Sequence, residues 1–221
     1  MSEKKTIFLG GTGLIGSQVL KILSKNINNI TALSRRSNNN YPENVQDILF
    51  NFDTPLTELD LPNCDHLFIC IGRSLKLSEL LYIRKKDRKN HFKIEHDYVF
   101  NLAKKAKEMG ANNLSIISAV GANSNSSNFY LSTKGLIEED LKNLGYKNIN
   151  ILRPGHIITN KEINEIGFLV WVIDILFKLV NPFLKSSLRK YRGIPLDKVS
   201  EFMANEEMAG IKIFHYDDFI K

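Results

Sequence analysis

The sequence predicts an α/β fold with a doubly wound, mostly parallel sheet, and three observations predict it. Short apolar strands alternate with stretches of helical period; a glycine cluster joins the first strand to the first helix; and glycines stand where two later helices should end. Residues 6–9 are short and β-rich, residues 10–13 form the glycine loop, and Leu14, Ile15, Val19, Leu20, Ile22 and Leu23 have the spacing of one helical face. Further apolar strands are predicted over 30–33, 47–52, 66–71, 114–118 and 148–152, with helices over 98–109 and 130–144, closed by Gly110 and Gly145. Strands that are apolar throughout imply a sheet covered on both faces, with its ligand crevice at the carboxyl ends of the strands.

Length and composition bound the rest. At roughly 100–200 residues per domain, the 221 residues make one main unit, read here as a core over 1–160 and a small C-terminal helical and strand segment over 161–221 of the same domain. The hydrophobic share of 43% and aromatic share of 10% exclude disordered and collagen-like chains. Only Cys64 and Cys70 occur, too few for a disulfide framework and wrongly spaced, with the histidines, for a metal site, so no metal is expected. A short apolar run after Lys4-Lys5 has no cleavage pattern, and a reducing, cytoplasmic setting is the expectation. The net charge of +6 is local: residues 73–107 hold eleven Lys/Arg against four acids, and the remainder is close to neutral. No nucleic-acid motif accompanies that segment, so no nucleic-acid partner is expected.

Gly11-Thr12-Gly13-Leu14-Ile15-Gly16 fits G-x-G-x-x-G, with Gly10, Gly13 and Gly16 giving a second glycine spacing. A strand-to-helix turn that admits pyrophosphate needs bare backbone, and the helix N-terminus supplies amides and positive potential. The strand before it and the helix after it turn a weak motif into a dinucleotide site. At the end of the second strand, where an acid would bind the ribose of NAD, stand Ser34, Arg35 and Arg36. A hydroxyl and two guanidiniums suit a 2′-phosphate, so NADP(H) is preferred over NAD(H). Asp53, past the third strand, is placed to accept from the adenine amino group or to act as a cap or turn residue, and Ile71 and Gly72 at the fourth strand end complete this set.

Tyr130 and Lys134 lie four apart at a helix start, hence on one face, and Ser118 ends the fifth strand twelve residues before Tyr130. Converging at the crevice, they suit proton transfer: Tyr130 as general acid/base, Lys134 lowering its pKa and holding the ribose, Ser118 bonding the substrate oxygen.

These motifs, with Arg153-Pro154-Gly155, resemble the short-chain dehydrogenase/reductase superfamily over residues 4–160. More narrowly, Ala32-Leu33-Ser34-Arg35-Arg36, Asp97-Tyr98-Val99, Ser118-Ala119-Val120-Gly121-Ala122 and Tyr130-Leu131-Ser132-Thr133-Lys134-Gly135 resemble the atypical branch that includes the Tat-interacting oxidoreductase-like proteins. The resemblance implies a Rossmann fold, Ser118, Tyr130 and Lys134 as catalytic residues, and Pro154 and Gly155 lining the nicotinamide pocket. Glu95 falls where many superfamily members carry a relay asparagine. The implied function is an NADP(H)-dependent oxidoreductase moving a hydride to or from a small carbonyl or alcohol. The alternative is an NADP(H)-binding regulatory or assembly protein with little turnover; an isomerase ranks lower because the chain has no room for a large substrate domain.

Residues 166–180 hold twelve apolar residues in fifteen, interrupted by Gly167, Asp174 and Lys178 on one stripe. The run is shorter than the roughly 20 residues of a membrane span, so no transmembrane segment is read. Burial against the sheet or over the substrate pocket is expected, with a dimer interface or peripheral membrane contact as alternatives. The chain is taken as a monomer or homodimer binding a small-molecule substrate.

Overall fold

The structure, a computed structural model, describes residues 4–37, 40–72, 77–159, 168–205 and 209–221. Its main sheet has seven parallel strands: β1 (Lys5–Leu9), β2 (Asn29–Ser34), β3 (Val45–Leu49), β4 (His66–Ile69), β5 (Asn113–Ile117), β6 (Asn148–Leu152) and β9 (Ile211–Phe214), in the order β3-β2-β1-β4-β5-β6-β9. The chain runs outward from β1 to β3, then returns to β4 on the other side of β1 and runs outward again. That reversal opens a crevice above the carboxyl ends of β1 and β4. β7 (Ile157–Ile158) and β8 (Ile194–Pro195) pair as a separate two-stranded ladder.

The apolar strands are sorted between two cores because successive side chains point to opposite faces. Ile7, Leu9, Leu67, Ile69, Leu114 and Ile116 face one side, under α4 (Tyr98–Glu108) and α5 (Phe129–Lys142). Phe8, Ala32, Phe68 and Leu152 face the other, under α1 (Leu14–Leu23) and α7 (Leu196–Asn205). Each fully buried Leu, Ile or Phe among them stabilises the fold by about 1.5–3 kcal/mol. Residues 196–205 and 211–214 join this scheme: β9 hydrogen-bonds beside β6, and Val199 and Met203 of α7 join Val19 and Leu20 of α1 in one core.

The third strand stops at Leu49 rather than 52, because Phe50 and Phe52 turn inward and pack edge to face beneath the sheet, with rings 5.4 Å apart. Between β4 and α4 lie α2 (Leu77–Leu81), α3 (Lys85–Phe92) and a π-helical turn at Lys93–Asp97, which continues directly into α4. The helix α6 (Phe168–Val180) does not meet the expectation of burial: Phe168, Leu176, Leu179 and Val180 are exposed. The short α8 (Tyr216–Phe219) closes the chain on a capping box between His215 and Asp218.

One half-buried strand histidine gives the fold an acid-side weakness. His66 on β4 stacks on Phe68 at 3.9 Å, its Nε2 lies 3.0 Å from Ser115 Oγ, and burial lowers its pKa from 6.5 to about 3. Below pH 6.5 the unfolded chain binds a proton that the folded chain refuses, so stability falls as pH drops from 6.5 toward 3. His66→Gln, neutral throughout, is expected to flatten the urea-midpoint profile across that window; parallel profiles for variant and parent would contradict the assignment.

Candidate functional site

The glycine loop is shaped by backbone contact. Gly10 has φ +92°, and a Cβ there would lie 2.5 Å from the Cys70 carbonyl carbon; one on Gly16 would lie 2.1 Å from Gly10 O. Gly13 caps α1 with no side-chain acceptor, its own N–H donating to Gly10 O at 3.1 Å. With no acid in the first turn, the amides and positive end of α1 face the crevice uncompensated. Gly10, Thr12 and Gly13 line a cleft of about 100 Å³ together with Ser34, Arg35, Phe52, Ile71 and Gly72. These residues fit the diphosphate and ribose of a dinucleotide.

The remaining expected cofactor residues separate into those at the cleft and those beside it. Gly11 is buried behind the loop with Tyr41, whose hydroxyl lies 3.0 Å from Ser34 Oγ. Leu14 is exposed at the helix start, and Ile15 packs on the core. Arg36 stands exposed outside the cleft lining, leaving Arg35 as the arginine that lines it among the described residues. Asp53 is no helix cap: its carboxylate pairs with Lys93 Nζ at 2.6 Å and accepts from the Tyr98 hydroxyl. Those two partners, Lys93 first, hold its pKa below the usual carboxylate value. Pro154 O accepts from Val120 N at 3.0 Å, tying the loop after β6 to the loop after β5. Gly155 is required because the backbone of residues 191–192 passes so close that a Cβ would lie 2.6 Å from Arg192 O.

Tyr130 and Lys134, on the first turns of α5, meet Glu95 from the π-helical turn. Lys134 Nζ lies 2.7 Å from Glu95 Oε2, and the two residues are only 5% and 2% exposed. The extra residue of a π turn re-aims the side chains around it, which is how such turns come to lie at functional sites. Glu95 also stands against Gly72: a Cβ on that glycine would be 3.7 Å from Glu95 Oε1. The buried ion pair therefore borders the cofactor cleft. Burial opposes the Lys134 charge, but Glu95 and Tyr130 outweigh it and raise the ammonium pKa above the ordinary lysine value. The Tyr130 pKa is not lowered as the sequence suggested. Burial raises it, Lys134 pulls it down only in part, and Glu95 pushes it up again. The phenol keeps its proton at neutral pH.

Ser118 goes elsewhere. Its buried hydroxyl donates to Glu138 Oε1, and Arg153 donates to the same carboxylate through Nε, at 3.0 Å to Oε1 and 3.2 Å to Oε2, and through its terminal nitrogen. Ser118, Glu138 and Arg153 thus form a closed knot joining β5, α5 and β6. Glu138 was legible in principle: with Tyr130 and Lys134 it continues a four-residue spacing along one face of α5. Tyr41 had no such signal, since it reaches the glycine loop from an irregular segment.

Comparisons with known proteins agree with this fold. No protein-family profile matches the chain. Protein FMP52, mitochondrial, of Candida glabrata is 30% identical over 198 residues, 89% of this chain and 81% of its own. Protein HTATIP2 of Rattus norvegicus is 27% identical over 177 residues, 76% of this chain and 68% of its own. Among solved structures, a UDP-N-acetylglucosamine 4-epimerase from Methanobrevibacter ruminantium superposes with TM-score 0.69 at 17% identity, covering 97% of this chain and 77% of that one. The human epimerase family protein SDR39U1, solved with NADPH, gives TM-score 0.60 at 12% identity, covering 96% and 74%. The FMP52 relatives from several fungi are named mitochondrial, which overturns the cytoplasmic setting expected from the sequence. By sequence the chain belongs to the FMP52 family; it is similar also to protein HTATIP2, and its fold is the Rossmann-like fold of the epimerases and dehydrogenases on which it superposes.

Proposed function

We propose that this chain is an NADP(H)-dependent oxidoreductase that reduces a small carbonyl or oxidises the corresponding alcohol. The observation that carries the reading is the buried Lys134–Glu95 pair, with the half-buried Tyr130 beside it, bordering the glycine cleft at Gly72. A bound nicotinamide supplies the hydride. Tyr130, held neutral, gives its proton to the substrate oxygen as negative charge develops there. Lys134 stays charged beside the phenol, and Glu95 fixes its position. Gly10, Gly13 and the α1 amides hold the diphosphate, while Ser34 and Arg35 face the 2′ position of the ribose. With its proton on Glu138, Ser118 acts by holding the strand end in place.

The absence of an acid at the end of β2 and the presence of Arg35 in the cleft support NADP(H) over NAD(H). Arg35→Ala is expected to weaken NADPH binding by roughly tenfold, the loss of one charged hydrogen bond, with little change for NADH. Isothermal titration of both cofactors reads this directly, and equal losses for both would refute it. One observation favours a second reading, a cofactor-binding regulatory protein with little turnover: the Ser118 proton is committed to Glu138 rather than to a substrate. A panel of small aldehydes and ketones followed by NADPH absorbance separates the two. Turnover supports the enzyme; tight NADPH binding with an inert panel supports the regulator.

A further inference from the structure

Helix α6 turns Asp174 inward and leaves Lys178 and much of its apolar surface outward. Asp174 is 2% exposed, and its carboxylate accepts from Thr159 N at 2.9 Å and Thr159 Oγ1 at 3.1 Å and lies 2.6 Å from His156 Nε2. The His156 ring stacks on Phe177 at 4.5 Å, and Asn181 exchanges two hydrogen bonds with Gly193. Polar anchors therefore fix the helix in this orientation. Outside, Phe168 is 67%, Leu179 63% and Phe183 79% exposed, with Trp171 and Leu176 on the same surface. Contiguous apolar exposure of this kind marks a surface that something covers.

The charge around it says what. From Asp174 to Asp197 the chain carries Lys178, Lys185, Arg189, Lys190 and Arg192 and no acid between. Lys178, Lys185, Arg189 and Lys190 are exposed, and Arg189 meets Asp217 at a half-exposed pair. A second copy of this chain joined about a two-fold axis would set this basic surface against itself. An anionic lipid surface accepts both parts: apolar side chains and aromatic rings enter the headgroup boundary, and long cationic side chains reach lipid phosphates. The helix has 13 residues, and among the described residues no helix is long and apolar enough to cross a membrane, so it would lie in the interface plane. We propose that the α6 face, continued through Phe183 and its basic flank, docks this protein on an anionic membrane surface.

Trp171 is the sole tryptophan, so its fluorescence reports on this face alone. The full chain is titrated with phosphatidylcholine vesicles and with vesicles of phosphatidylcholine and phosphatidylserine, and binding is also read by flotation. Expected are a blue shift and flotation with the anionic vesicles, weakened at least tenfold by added salt and by Lys185→Glu/Lys190→Glu. Leu179→Ser/Phe183→Ser should abolish both while leaving the far-ultraviolet circular dichroism and melting temperature unchanged. No flotation on anionic vesicles, equal binding to both vesicle types, or a dimer in sedimentation that the Leu179→Ser/Phe183→Ser substitutions dissociate would each overturn the proposal.

Discussion

Tyr130→Phe is expected to lower kcat by about 10²–10⁴-fold, the usual contribution of a positioned general acid, with NADPH affinity unchanged. The substitution removes one oxygen from a half-buried ring whose neighbours, Lys134 and Glu95, remain paired with each other. The pH profile carries further information. Because burial and Glu95 hold the Tyr130 pKa above its ordinary value of 10.0, carbonyl reduction should proceed at full rate through neutral pH and decline only once the phenol ionises above that value. Alcohol oxidation, which needs the phenolate, should rise toward alkaline pH. Glu95→Gln removes one of the two contributions that raise the Tyr130 pKa and leaves Lys134 to lower it, so the alkaline limb should move to lower pH. A Tyr130→Phe enzyme with parental turnover on the same carbonyl would end the assignment, and a Glu95→Gln profile that does not move would end the electrostatic account of it.

Arg153→Ala should destabilise the fold by about 3–5 kcal/mol, because it strands a carboxylate in the interior. Glu138 is 1% exposed and receives its charge compensation from the Arg153 guanidinium, which also links β6 to α5. For a chain of this size the melting temperature should drop on the order of 10 °C. Arg153→Lys, which keeps the charge but loses the planar fork, should fall between the variant and the parent. Arg84→Ala provides the contrast: its pair with Asp87 is exposed on the arginine side and should cost less than about 1 kcal/mol. Calorimetric melting of the three proteins checks the ordering. An Arg153→Ala protein as stable as Arg84→Ala would show that the knot contributes nothing.

Much of the cofactor half of the site was visible in the linear chain because its physics is local. A glycine at 10 with positive φ, a glycine at 16 pressed on the loop, and an uncapped helix start are consequences of spacing within a single strand-turn-helix unit. The same holds for Tyr130 and Lys134, which a helical turn brings together whatever surrounds them. Arg35 and Arg36 were equivalent in sequence, and only the curl of the chain after β2 put one in the cleft and left the other outside it. Ser118 was placed correctly at its strand end, but the direction of its proton depends on Glu138 and Arg153, twenty and thirty-five positions away. Glu95 reaches Lys134 only because a π turn interrupts an otherwise regular helix, and no periodicity in residues 85–108 announces that turn.

The sequence by itself therefore determined the alternation of strand and helix, the glycine cradle and the Tyr130–Lys134 face, since each follows from backbone preferences and side-chain spacing over a few residues. The tertiary structure decided the ionisation of Tyr130, the partner of Ser118 and the outward turn of α6. Those depend on burial and on charges brought from distant parts of the chain: Glu95 beside Lys134, Glu138 beneath Ser118, and Asp174 held inward by His156 and Thr159. An apolar run of fifteen residues reads as core by composition alone. A single buried carboxylate, which must keep its hydrogen-bond partners, sets the orientation of α6 that leaves Phe168, Leu176, Leu179 and Val180 exposed.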